Sequence, residues 1–286
     1  MLGIFASTVD GVLIGSVYGL AAMGLTLIWG VMDVVNLTHG AVIVGGMFAL
    51  YLLTSAVGIP VYASLPPILI GGFLFGILLY WIAVHRMIGR PPLMILLSTF
   101  SMNLVLVGLG TAIWGTVLFN VPVTLPGVTL ERYTFPGTHI LAAVLTAVMA
   151  ALLYLLLYYT RIGKAIRAVA DNREAAELSA IPTTRVLSLT FGLGVGLAAV
   201  AGMLIATLFP FTVLSGDAYQ LKSFVVTVLG GLGNPAGALA GGIALGLIEG
   251  LAAPFMPVSW TLVIEFVLFI IVLMLLPGGT RSQRRG

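Results

Sequence analysis

The feature that most constrains this fold is a series of continuous apolar stretches, each long enough to cross a lipid bilayer as a helix. Such a helix needs about 20 residues, and the stretches Ile68 to Val84 and Leu262 to Leu276 carry one charged residue between them. Strands of a membrane barrel alternate apolar and polar residues, so continuous runs favour helices. We therefore expect an all-α, polytopic transmembrane helix bundle formed by residues 1–286 as one domain.

The low charge content supports a membrane location. Only 7% of the residues are charged, against about 25% in soluble domains, so a soluble fold could not cover its surface. We expect about eight or nine hydrophobic segments, the seventh short enough to be a half-helix or a re-entrant segment. The nine are approximately Thr8–Val31, Gly40–Val57, Tyr62–His85, Leu93–Leu118, Thr138–Thr160, Val186–Phe209, Tyr219–Leu232, Pro235–Ala253 and Trp260–Leu276.

The positions of lysine and arginine predict the orientation, because short cytoplasmic loops carry an excess of both. Nine spans place three basic clusters on one side and the C-terminus in the cytoplasm. The segment Phe119–Gly137, with Glu131 and Arg132, then faces outward. The clusters are Arg86 and Arg90; Arg161, Lys164, Arg167, Arg173 and Arg185; and Arg281, Arg284 and Arg285.

Glycines recur at the spacing that brings membrane helices together. Helices in lipid associate by van der Waals fit, and small residues let their backbones approach. We interpret these glycines as contacts within one bundle rather than as a dedicated dimer surface. They are Gly11, Gly15 and Gly19; Gly242, Gly246 and Gly250; Gly72 and Gly76; and Gly192 and Gly196.

The sequence carries no motif for covalent chemistry. It has no cysteine, and its three histidines are far apart, so no metal site is expected. The phosphate-binding motif G-x-x-x-x-G-K-[ST] fits neither Lys164 nor Lys222, and the zinc-protease and serine-hydrolase motifs are missing. We expect no catalytic residue and no cofactor in this chain. The net charge of +3 is small, and no nucleic-acid partner is expected.

Polar residues within apolar segments are costly unless they are paired or face water. We interpret Glu249 and Glu265 as paired or helix-end carboxylates, although carboxylates in such positions also mark functional sites. Asn103 is either an interhelical hydrogen-bonding group or a substrate ligand. The turn Asp33–His39, which contains Asn36, Thr38 and His39, either caps a helix or lines a transport pathway, as interrupted helices do in transporters. Lys222 flanks the seventh segment.

The charged loop at about residues 161–185 contains signals for a short surface helix. Asp171 is placed to cap its N-terminus, and Glu174, three residues later, to complete a capping box. Pro182 disfavours helical geometry at Ile181. These signals predict about two turns of helix, exposed between two spans. A solvated loop with an ordinary surface helix, which binds no other protein, is the alternative on these signals alone.

The tripeptide Glu174-Ala175-Ala176 resembles the cytoplasmic coupling loop of ABC importer permeases, whose short helix docks on an ATPase. The family pattern has glycine where this chain has Ala180, and its later Ile-x-Leu-Pro part is missing here. Three longer stretches resemble the permeases of branched-chain amino acid importers, of the LivH-like type, with the LivM-like type as the alternative. They are YGLAAMGLTLIWGV at residues 18–31 continuing to NLTHG at 36–40, GKAIRAVADNREAAELSAI at 163–181, and VLGGLGNPAGA at 228–238.

The resemblance implies one membrane subunit of a heteromeric importer in a bacterial-type inner membrane. Its partners would be two cytoplasmic ATPases that bind ATP and magnesium, a second, homologous permease chain, and an extracytoplasmic substrate-binding protein. Related systems carry leucine, isoleucine and valine, or urea, short amides and other amino acids. A sugar permease of the same superfamily and an ion-driven secondary transporter are the rival functions.

Asn36, Thr38, His39 and Asn103 are candidates for the substrate pathway, because they are polar groups within or between apolar segments. The resemblance implies where this chain meets the ATPases. The expected ATPase-coupling interface consists of Ala170, Asp171, Asn172, Glu174, Ala175, Ala176, Leu178, Ala180 and Ile181.

Overall fold

The computed structural model describes residues 2–130, 133–255 and 260–275, and these residues fold into eleven α-helices and one short hairpin. Two parts of the orientation prediction lie outside the described residues. They are the basic cluster of Arg281, Arg284 and Arg285 at the C-terminus, and the residues Glu131 and Arg132. The helices are α1 (Leu2–Met32), α2 (His39–Ser55), α3 (Leu65–Leu79), α4 (Pro92–Trp114), α5 (Gly137–Tyr159), α6 (Arg161–Asp171), α7 (Arg173–Leu178), α8 (Thr183–Ala206), α9 (Gly216–Gly230), α10 (Pro235–Ala252) and α11 (Thr261–Leu275).

Each of the nine hydrophobic segments corresponds to a helix, so the polytopic helical bundle is confirmed. Six of the helical spans in the described residues are long and apolar enough to cross a membrane. The other three, α2, α9 and α11, have 17, 15 and 15 residues. At about 1.5 Å per residue, α9 rises only about 22 Å, which agrees with the expectation of a short seventh helix.

Short turns that depart from regular α-helix accompany the bundle. A 3₁₀ turn, Val61–Ser64, leads into α3, and a π turn, Tyr80–Val84, and a second 3₁₀ turn, His85–Met87, extend it. On the side expected to face outward, the antiparallel strands β1 (Val128–Leu130) and β2 (Tyr133–Phe135) form a hairpin. The hairpin is the one exception to the all-α expectation among the described residues.

Helices α1 and α8 occupy the centre of the bundle and are its most buried spans. The glycines of α1 pack directly on those of α10, with Gly11 and Gly15 against Gly246. Helices α8 and α3 pack in the same way, with Gly192 against Gly76 and Gly196 against Gly72. The interpretation of these glycines as contacts within the bundle is therefore confirmed.

Helix α9 runs parallel to α1 but begins only halfway along it. Tyr219, in its first turn, lies with its ring 6.4 Å from that of Tyr18, and farther along, the Thr227 hydroxyl donates to the carbonyl of Ala22. The start of α9 also touches the start of α2, because Gly216 and Gly40 approach backbone to backbone. Two helix beginnings therefore meet inside the bundle.

The close approach of α2 to α8 generates the first prediction. A Cβ at Gly46 would overlap the carbonyl oxygen of Ala199, whereas a Cβ at the neighbouring Gly45 would meet open space. We expect Gly46→Ala to lower the free energy of unfolding by about 1–3 kcal/mol, because overpacking forces the backbones apart. Gly45→Ala is the matched control and should leave the free energy of unfolding unchanged or raise it by up to about 1 kcal/mol, because alanine favours the helix. Thermal unfolding of the two variants in detergent measures the difference, and equal stabilities would contradict the packing described.

Candidate functional site

The charged loop contains two helices rather than the single one expected. In α6 the Thr160 hydroxyl caps the N-terminus by accepting from the backbone N–H of Gly163 at 3.0 Å. One face of α6 is buried against the bundle through Gly163, Ile166 and Val169, and its basic residues are exposed. The apolar residues at intervals of three are the signal for this helix that sequence reasoning missed.

The predicted cap of α7 is wrong by one residue. Asp171 is the last residue of α6, and Asn172 is the cap: its backbone is extended, and its side-chain oxygen accepts from the backbone N–H of Ala175 at 3.0 Å. An N-cap must have non-helical backbone, which Asp171 cannot have while it ends α6. Glu174 consequently lies one position too early for a capping box, although a carboxylate in the first turn still favours the helix dipole.

Helix α7 presents a mixed surface to solvent. Ala176 packs inward, while Glu174, Ala175 and Leu178 are exposed. Leu178 is 90% exposed, which leaves a large apolar side chain at the tip of the loop. Of the remaining predicted coupling residues, Ala170, Asp171, Asn172 and Ala180 are exposed and Ile181 is half-buried.

Helix α7 ends in a Schellman motif, in which two backbone N–H groups close the last turn. The N–H of Ile181 donates to the carbonyl of Ala176, and that of Ala180 to the carbonyl of Glu177, both at 3.0 Å. Ala180 has φ +58°, the left-handed conformation that glycine adopts without steric cost. The glycine of the family pattern is therefore replaced by alanine at the one position of this turn where glycine fits best.

Glu177 joins α7 to the first residue of α8. Its carboxylate accepts from the Thr183 hydroxyl at 2.7 Å and from Arg173 Nε at 3.3 Å. The Thr183 hydrogen bond, followed by the Arg173 contact, lowers the pKa of the Glu177 carboxyl. The exposed short helix is thus attached by a side chain to one of the two most buried helices of the bundle.

The structure brings Asn36, Thr38 and His39 together at the break between α1 and α2. All three are fully buried, and the side-chain oxygen of Asn36 accepts from the N–H and the hydroxyl of Thr38. Asp33, in the left-handed region at φ +52°, follows the end of α1. Asn103 lies one turn beyond Thr99 on α4 and is half-buried. Among the described residues, no hydrogen bond joins it to the other three.

Gln220, which sequence reasoning missed, ties this break to α9. Its side-chain oxygen accepts from the Gly40 N–H at 2.6 Å, and its side-chain nitrogen donates to the Asn36 carbonyl at 3.3 Å. Thr99 on α4 donates to the Val35 carbonyl at 3.2 Å. Backbone groups that leave helical geometry inside a bundle must find such partners. A polar glutamine within an apolar segment was the available signal.

Glu249 and Glu265 are paired, as expected. Lys222 Nζ lies 2.5 Å from Glu249 Oε1 and also bonds Glu265 Oε1, and it sits 4.7 Å from the centre of the Tyr18 ring. The cluster joins α1, α9, α10 and α11. Buried charges persist when they are paired and hydrogen-bonded, and the contact of Lys222 with both carboxylates supports their structural interpretation.

Comparison with known proteins covers nearly the whole chain. The family described as "Branched-chain amino acid transport system / permease component" matches residues 7–273. The high-affinity branched-chain amino acid transport system permease protein LivH of Salmonella typhimurium and that of Escherichia coli are each 30% identical over 94% of this chain and 92% of their own. BraD of Pseudomonas aeruginosa is 28% identical over 95% and 93%. No solved structure gives a significant match.

The left-handed alanine generates the second prediction. Ala180→Gly should stabilise the end of α7 by about 1 kcal/mol, because the substitution removes the steric cost of φ > 0. Ala175→Gly makes the same side-chain change at an ordinary helical position and should destabilise the helix by a similar amount. Hydrogen–deuterium exchange of the peptide covering residues 172–182 reports the local change. Slower exchange in Ala175→Gly than in Ala180→Gly would refute the assigned motif.

Proposed function

Because the chain belongs to the family of branched-chain amino acid transport system permease components, we propose that it forms half of the membrane pathway of an ATP-driven importer for aliphatic amino acids. A member of this family is a transport subunit rather than an enzyme, and it spans the membrane several times. Membership in this family favours transport driven by ATP hydrolysis over the ion-driven secondary transporter. The observation that carries the proposal is the exposed apolar tip of α7, which the Glu177–Thr183 hydrogen bond attaches to α8.

The partners follow from the chemistry that this chain lacks in sequence. Without a phosphate-binding motif, it needs two cytoplasmic ATPase subunits, which bind ATP and magnesium. A second, homologous permease chain completes the pathway, and an extracytoplasmic binding protein delivers substrate. The relatives' names support such a multi-component system.

The docking surface for the ATPases is the outer face of α7 with the turns around it. Leu178 supplies an apolar side chain to be buried in a groove, and Ala175, one turn earlier, permits close backbone approach. Removing a leucine side chain from water contributes about 1.5–3 kcal/mol, enough to matter in a reversible contact. The remaining contacts of this interface are assigned to Ala170, Asp171, Asn172, Glu174, Ala176, Ala180 and Ile181.

Motion of the ATPases reaches the bundle through α7 and α8. The Glu177–Thr183 hydrogen bond and the Schellman turn leave little freedom between the two helices. Helix α8 contacts α1, α2 and α3. A displacement of α7 would therefore move α8 and, through it, the helices on either side of the break. Substrate shifts the balance between inward-open and outward-open states only by binding one of them more tightly.

The substrate pathway is proposed to pass beside the break at Asn36, Thr38 and His39, with Asn103 at its edge. The break is held by Gln220 and Thr99 from two other helices, and Asn36 Nδ2 is a buried donor without a hydrogen-bond partner among the described residues. Such a group is available to a water molecule or a polar substrate atom. Interrupted helices serve this purpose in other transporters.

The coupling loop is assigned to the cytoplasmic side of an inner membrane, with the C-terminus on the same side. The excess of basic residues in the loop supports this orientation. Aliphatic amino acids are the proposed cargo, since the relatives are named for branched-chain amino acids. Urea, a short amide or another small solute is the alternative cargo for the same scaffold.

The third prediction tests the docking surface. In proteoliposomes that contain both permease chains and the ATPases, Leu178→Asp should weaken ATPase binding by about 10- to 100-fold, because the buried apolar contact is lost and a charge is desolvated. Leu178→Met keeps an apolar side chain of similar volume and should bind within about twofold of the parent. Co-purification of the ATPases and leucine uptake, driven by ATP and the binding protein, are the measurements.

Two results would refute different parts of the proposal. If Leu178→Asp retains the ATPases and full uptake, α7 is not the docking surface. If the parent transports urea or amides but not leucine, isoleucine or valine, the coupling assignment stands and the cargo assignment fails.

A further inference from the structure

A cavity with a volume of about 600 Å³ lies beside the coupling loop. Helices α1, α5 and α6 and the beginning of α10 surround it. Its walls are almost wholly apolar, with Met23 and Leu27 of α1, Leu153 of α5, Ile166 of α6 and Leu239 of α10 among the lining residues. It is open to the surroundings on the side where α5 exposes apolar side chains such as Leu155.

The end of this cavity nearest α6 is cationic and aromatic. Arg167 lines it, and the guanidinium carbon lies 4.7 Å from the centre of the Tyr158 ring. No carboxylate of the described residues lies within ion-pair distance of Arg167. Tyr154, Tyr158 and Tyr159 are exposed along the last turns of α5. Tyrosines are enriched at the level of lipid headgroups, so this end of the cavity lies at the membrane surface.

We propose that the cavity holds an anionic phospholipid, with an acyl chain along the apolar walls and the phosphate beside Arg167. The apolar walls and the volume of about 600 Å³ suit a single acyl chain, whereas a helix about 10–12 Å in diameter would need a wider groove. Arg167 has no carboxylate partner among the described residues, and basic pockets between membrane helices bind anionic headgroups. The arginine stem also lies along apolar surface while its head stays at the interface.

The proposed lipid has a structural role in addition to transport, because it would lie between α6 and the membrane spans on which α6 packs. Ile166, Arg167 and Ala170 belong to the helix that ends one residue before the cap of α7. A lipid seated there contacts α6 from the bundle side. It would fill the space between the helix and the spans on which it rests.

The fourth prediction is a preference for anionic lipid that depends on Arg167. The full chain is reconstituted in nanodiscs of phosphatidylcholine with either phosphatidylglycerol or additional phosphatidylcholine, and retained lipid is counted by native mass spectrometry after release into detergent. We expect the parent to retain phosphatidylglycerol about tenfold over phosphatidylcholine and Arg167→Gln to lose that preference. Arg90→Gln, which removes an exposed arginine outside the cavity, is the matched control and should keep it. Ala151→Trp should lower retention of both lipids, because the indole fills the acyl-chain site.

Several outcomes would overturn the proposal. Equal retention of the two lipids by the parent, or equal loss in Arg90→Gln and Arg167→Gln, would indicate a general surface charge rather than a site. Displacement of the lipid by millimolar inorganic phosphate would show an anion site without an acyl chain. Loss of the lipid when the second permease chain binds would assign the cavity to a protein contact.

Discussion

The structure depends on the contact between two glycine faces, one on α1 and one on α10. Lipid is as apolar as the helices, so the bilayer provides no hydrophobic force between them, and the helices associate by close van der Waals fit. With Gly11 and Gly15 against Gly246, α1 becomes a central helix on which α8 and α9 also pack. That central position allows the chain to leave helical geometry after Met32 and still find partners for its backbone groups.

The break after α1 and the coupling loop are joined by continuous packing. Leu178 belongs to a helix that Glu177 attaches to Thr183, the beginning of α8. Helix α8 meets α2 at Gly46 and Gly202, where the backbones touch. The beginning of α2 is the break itself, held by Gln220 from α9. The buried helix α8 thus connects the solvent-exposed tip with the polar groups inside the bundle, with side-chain or backbone contact at each step.

Much of this architecture follows from the sequence alone. Apolar runs and glycine spacing are local patterns, so the nine segments and the glycine faces were predictable from the sequence. The pairing of α1 with α10 was not, because Gly11 and Gly246 lie far apart in the chain. The loop was located by its charges, but the cap was misplaced, because Asp171 and Asn172 are both good caps and only the end of α6 decides between them. The role of Gln220 was not predictable, since its partners are about 180 residues away in the chain. The Lys222 cluster likewise joins four helices, which no local pattern reveals.

The central claim is that the tip of α7 faces the cytoplasm and meets another protein there. The chain has no cysteine, so a single cysteine at the exposed Ser179 is a unique label site without further changes. A membrane-impermeant maleimide should label it in inverted vesicles and not in intact cells, and bound ATPase subunits should protect it. Labelling from outside intact cells, or equal labelling with and without the ATPases, would contradict the account.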